Sequence, residues 1–140
     1  MSLIEVTLRV PAGIVCLLSA LQFHGLTTQT PHRVWVALPL RAHPLHLDYP
    51  PVRVVHLSGD AFTAGIEEHV ISTVTLRVYS PAKTVVDCFK FRNKIGIEVA
   101  LDALRDCWRK QQATMEELWR FAKICRVATV MRPYLESLAI

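Results

Sequence analysis

At 140 residues the chain is long enough for one ordinary domain with a buried core. It is 51% hydrophobic and only 20% charged, which excludes extended disorder, and no run approaches the roughly 18 apolar residues of a membrane-spanning helix. The formal charge of +4 is unevenly spread: before Pro81 five bases balance five acids, and from Pro81 onward eleven bases face seven acids.

In chain order, Leu3–Val10 reads as a strand by alternation or as a short helix ending at Pro11. Val15–His24 is too continuously apolar for a surface element and predicts a buried helix, closed by Gly25, a residue that tolerates the left-handed backbone. The period then changes. Arg33–Leu38 and Val52–Leu57 are rich in strand formers. Between them Pro39, Pro44, Pro50 and Pro51 each remove a backbone donor, so Arg41–Pro51 is expected as a loop. Ser58-Gly59-Asp60 turns into a short helix, Ala61–Ile66, before two more strands, His69–Ser72 and Val74–Val78.

Ser80-Pro81 opens the helical half, with Ser as N-cap and Pro at the first helical position. The helix that follows carries Ala82, Val85, Val86 and Phe89 on one face. Lys83, Asp87, Lys90 and Lys94 lie on the other, where opposite charges at these spacings contribute about 0.3–0.5 kcal/mol per pair. Asp87 is expected to pair with Lys83 or Lys90 at the surface. Gly96 ends this segment. Ile97–Lys110 shows an apolar stripe of Ile97, Leu101, Leu104 and Trp108. Thr114-Met115-Glu116-Glu117 matches a capping box for a helix burying Met115, Leu118, Trp119, Ala122 and Cys125. A last helix covers Val130–Leu138 with Pro133 in its first turn. Strands segregated from helices predict one α+β domain over residues 1–140, a small, mostly antiparallel sheet packed against a C-terminal cluster of helices.

Candidate chemistry is sparse. All six histidines precede Pro81, and His43 and His46 form the closest pair, with Asp48 as their only nearby acid, which is a poor metal site. His56 and His69 are expected on an exposed sheet face. Glu67-Glu68 is the one acidic pair of the sheet region, and the five glycines are isolated, so neither a carboxylate cluster for a divalent ion nor a phosphate loop is expected. Cys16, Cys88, Cys107 and Cys125 sit far apart inside apolar segments, in the manner of buried thiols of a cytoplasmic protein. The start of the chain lacks the basic region and long apolar run of a signal peptide. These features predict a non-enzymatic protein without cofactor or metal, located in the cytoplasm and not in a membrane.

Two stretches are recognisable. Gly13–Gln29 with Pro31-His32 and Val34–Ala37, and Val78-Tyr79-Ser80-Pro81-Ala82-Lys83-Thr84-Val85-Val86-Asp87-Cys88-Phe89-Lys90-Phe91-Arg92-Asn93-Lys94-Ile95-Gly96 continuing into Ala100-Leu101 and Ala103-Leu104, resemble the hallmark segments of the C-terminal domain of AbiEi-type antitoxins. Order and spacing match, and the similarity runs over nearly the whole chain from about Pro11. The resemblance implies the antitoxin and transcriptional-regulator half of a bacterial type IV toxin–antitoxin system of abortive infection and phage defence. Such a domain neutralises a nucleotidyltransferase-like toxin without necessarily touching it. It supports repression of its own operon through an N-terminal winged helix that binds operator DNA. That winged helix is not in this chain, which is expected to begin where it has ended.

Lys83, Lys90, Arg92 and Lys94 are the candidate binding residues, forming a basic face for phosphate backbone or an acidic partner. Two alternatives come from other classes. One is an orphan nuclease-like or nucleotide-handling domain, for which Glu67, Glu68, Asp48 and His46 are the available donors. The other is an interaction module forming a homodimer through its C-terminal helices, signalled by exposure of Trp108, Trp119 or Tyr134.

Overall fold

A computed structural model describes residues 3–41 and 51–140. Its elements are α1 (Leu3–Arg9), β1 (Ile14–Val15), α2 (Leu17–Phe23), β2 (Val34–Pro39), β3 (Val52–Leu57), α3 (Asp60–Thr63), β4 (Ile66–Ile71), β5 (Val74–Tyr79), α4 (Pro81–Lys90), α5 (Arg92–Ile95), α6 (Ile97–Arg109), α7 (Met115–Ile124) and α8 (Ala128–Leu138). The fold is α+β with a C-terminal helix cluster, as the segregation of periods predicts. Residues 42–50, with His43, His46, Asp48 and most of the expected loop, lie outside the described residues.

The strands run in the order β3-β2-β1-β5-β4. β1–β2 and β4–β5 are antiparallel, whereas β2–β3 and β1–β5 are parallel, so the sheet is more mixed than the expected antiparallel arrangement. Its centre is the shortest strand. Ile14 pairs with Ala37, and Val15 pairs with both Val36 and Val78. Both residues of β1 are buried because both faces of the sheet are covered there, which is why they read as part of an apolar run and not as an alternation. The helix expected from Val15 therefore begins only at Leu17, after a turn in which Leu17 takes a φ of 47°.

Most of the core lies between one face of the sheet (Ile14, Trp35, Ala37, Val55, Leu57, Tyr79) and helices α2, α4, α6, α7 and α8. Helix α1 covers part of the other face, where Val6 and Val10 meet Val34, Val36 and Leu38. Helices thus lie on both sides and not on one. Ser19 joins the layers: its buried hydroxyl accepts the amide of Trp35 at 2.9 Å.

Local chemistry sets the helix ends. Gly25 (φ 72°) closes α2, with the Leu26 amide donating to the Leu21 carbonyl and that of Gly25 to Gln22, a Schellman arrangement. Ser80 caps α4 by accepting the Lys83 amide at 3.2 Å, and Thr114 and Glu117 form the reciprocal capping box of α7. β4 and β5 meet at a two-residue turn, Ser72-Thr73, with both residues at positive φ (50° and 66°), as tight hairpins require.

Three details of the helical half differ from expectation. α6 buries Ala100, Ala103, Leu104 and Cys107, leaving Ile97, Leu101 and Trp108 half-buried at the margin of the stripe. α7 buries Phe121 as well as Leu118 and Ala122, whereas Met115 and Trp119 stay half-buried. Pro133 sits inside α8, whose first residue is Ala128.

Candidate functional site

The recognisable segment Val78–Gly96 folds as strand end, cap, helix and break, and α4 is its axis. Sheet, α2, α6 and α7 surround this helix, so every residue from Ala82 to Phe89 is buried. That corrects the expected two-faced helix. Lys83 is 0% exposed and Asp87 1%. Neither lies on a surface, and their pairing is internal.

Lys83 Nζ donates to both oxygens of Asp87, at 2.9 and 2.7 Å, one helical turn away. The ammonium also stands 3.8 Å from the centroid of the Tyr79 ring, whose face attracts a cation. Cys125 Sγ, at the end of α7, approaches Asp87 Oδ1 at 3.7 Å as a weak donor. Tyr79 directs its hydroxyl away, donating to the Phe62 carbonyl at 2.6 Å. Burial raises the Asp87 carboxyl above its ordinary range, against the pull of Lys83 and of the Cys125 thiol. Burial likewise raises Tyr79, with the Asp87 charge adding to the effect.

Room for the lysine stem comes from Gly65, which has a φ of 79°; a Cβ there would fall 2.6 Å from Lys83 Cβ and 3.3 Å from the Phe121 ring. Gly65 also accepts the Ser80 amide at 2.7 Å, tying the start of β4 to the cap of α4. Gly65→Ala is expected to destabilise the protein by about 2 kcal/mol or more, since left-handed backbone strain and the lysine stem oppose the added methyl together. Urea unfolding measures it, and an unchanged midpoint would contradict the close approach.

The other three candidate residues diverge. Lys90 Nζ donates to the Cys125 carbonyl at 3.1 Å, closing the end of α7 from α4. Arg92 Nη1, at the start of α5, donates to the Phe89 carbonyl in the last turn of α4 at 2.9 Å. Both are half-buried, while Lys94 is exposed on α5. An expected face of four thus becomes one buried lysine, two cations holding helix ends and one solvent-facing lysine. The i, i+4 spacing of Lys83 and Asp87 is equally consistent with an exposed pair, so burial on all sides of α4 left no separate sign in the residue pattern.

Glu67 and His69 lie two apart on edge strand β4, and the imidazole Nε2 is 3.0 Å from Glu67 Oε1 with each side chain 39% exposed. His69 packs edge-on against Phe23, beside His24, whose Nε2 contacts the Tyr79 carbonyl at 2.8 Å. Glu68 is exposed on the opposite side of the strand, and His56 is exposed on β3. Among the described residues no three His, Cys, Asp or Glu side chains gather as a metal site. The four cysteines are free and buried. Burial pushes the Cys107 and Cys125 thiols up to about 11, with Glu117 and Asp87 respectively adding to it. No described helix is long and apolar enough to cross a membrane. No family model and no curated protein matches the chain.

Proposed function

We propose that this chain is the regulatory domain of an antitoxin of the type IV toxin–antitoxin class, acting by binding in the cytoplasm and not by turnover. The reading rests on the resemblance of Gly13–Gln29 and Val78–Gly96 to the AbiEi-type C-terminal domain. One observation carries its mechanistic part: the motif's two most reactive-looking side chains, Lys83 and Asp87, bind each other inside the core. A motif spent on holding a helix in place leaves recognition to the exterior. There Lys90, Arg92 and Lys94 offer positive charge near the end of α4 to nucleic acid or to an acidic surface. Autorepression and contact with operator DNA belong to a winged helix acting with this domain.

Co-expression with the nucleotidyltransferase-like toxin encoded beside it is the direct test. Growth of toxin-producing cells is expected to recover with the wild-type chain and to recover less with Lys90, Arg92 and Lys94 changed together to Gln. Persistent arrest with a well-folded wild-type chain would remove the antitoxin reading. Equal rescue by the triple variant, with undiminished nucleic-acid affinity, would leave Lys90 and Arg92 as helix-end contacts and Lys94 as a solvated side chain. Among the described residues, the Glu67–His69 contact is the feature that favours a hydrolytic alternative, and nucleotide turnover by pure protein that Glu67→Gln abolishes would establish it.

A further inference from the structure

The exposed cations within helices α6, α7 and α8 fall into two groups. On α6 they are answered locally: Arg105 reaches Asp102 at 3.4 Å and Arg109 reaches Asp106 at 3.0 Å. On α7 and α8, Arg120, Lys123 and Arg132 are exposed, and among the described residues none is in an ion pair. These three converge on one groove of about 810 Å3, floored by Trp119 and Ile124, with Glu116 as its single acid.

Two of the three cations are placed by aromatic rings. The Arg132 guanidinium lies 5.6 Å from the Trp119 ring and that of Arg120 lies 4.8 Å from Phe121. Stacking of this kind holds a guanidinium against apolar surface while leaving its N–H edges free for a carboxylate. The groove therefore combines an apolar floor with three positive groups on its rim, so it is unsatisfied in two respects at once.

We infer that the α7–α8 groove docks an acidic peptide segment of a protein partner, seating one large apolar side chain on Trp119 and Ile124 and giving its flanking carboxylates to Arg120, Lys123 and Arg132. Charge complementarity selects the acidic flanks, and the apolar floor selects the anchor. Nucleic acid fits less well. Three cations confined to one short groove make few phosphate contacts, and the Trp119 ring on which a base would stack already carries Arg132. The inference stands on this groove alone and is independent of the antitoxin reading.

The test is selection of a randomised peptide library, displayed on phage, against the immobilised full chain, followed by binding of a synthetic copy of the enriched sequence. Peptides with Leu, Phe or Trp flanked by Glu or Asp are expected, with affinity that falls as salt rises. Affinity should drop about tenfold or more in R120E/K123E/R132E. R105E/R109E on α6 should bind as wild type, and unchanged thermal unfolding of both variants shows that the fold is intact. Three results overturn the inference: no acidic enrichment, binding that survives the triple reversal, or a groove-dependent affinity for single-stranded or duplex DNA exceeding that for the peptide.

Discussion

Asp87→Asn is expected to cost about 3–5 kcal/mol in urea unfolding, the effect of leaving a buried ammonium without its counter-ion. Lys83 lies at 0% exposure between the Asp87 carboxylate and the Tyr79 ring, and water cannot replace the lost partner. Lys83→Met should cost a similar amount from the other side, stranding the carboxylate beneath the Cys125 thiol. The loss is a large share of the 5–15 kcal/mol that stabilises a typical domain. The double variant Lys83→Met/Asp87→Leu should recover most of it, because an apolar pair of similar volume pays no desolvation. Strong non-additivity is the signature to look for, and two single variants whose small losses simply add would show that the charges are not enclosed together.

Phe89→Ala should destabilise the protein by about 3–5 kcal/mol, the combined loss of transfer energy and of the cavity left behind. Phe89 is fully buried at the last turn of α4, its ring 5.6 Å from that of Tyr134 on α8. α4 is enclosed on every side, so the neighbours cannot collapse into the gap without shifting a second helix. Thermal unfolding reads the effect, with Lys94→Ala as the surface comparison, expected within about 0.5 kcal/mol of wild type. A Phe89→Ala midpoint close to that of Lys94→Ala would mean that the α4–α8 contact carries little of the stability.

Features set by a few adjacent residues were legible from the chain: the Ser80-Pro81 start, the Thr114/Glu117 box, and Gly25 and Gly96 at the helix ends. Each works through a bond or a dihedral within four residues, so composition and position suffice to announce it. What depends on distant partners was not. β1 has two residues and shows no period, and its parallel pairing with β5 joins Val15 to Val78 across most of the sheet-forming region. The Ser72-Thr73 turn lacks the glycine or asparagine that would signal its positive φ angles. At the candidate site, the charge at Lys83 and Asp87 was visible but their enclosure was not, because α7 and Gly65 close over the pair from elsewhere in the chain. The α7–α8 groove was hidden for the same reason, since Trp119 and Arg132 meet only when two helices dock.

The position of β1 also orders the assembly of the molecule in time. A chain emerging N-terminus first has β1, β2 and β3 in hand early, yet the middle of the sheet stays half-made until Val78 arrives to pair with Val15. The β4–β5 hairpin can zip up locally, but its docking on β1 closes a loop of more than sixty residues, the kind of long closure that slows folding. Until then one flank of a fully apolar strand has no neighbour. Synthesis of α4 follows directly, so the central helix is released from the ribosome just as the sheet it covers becomes complete.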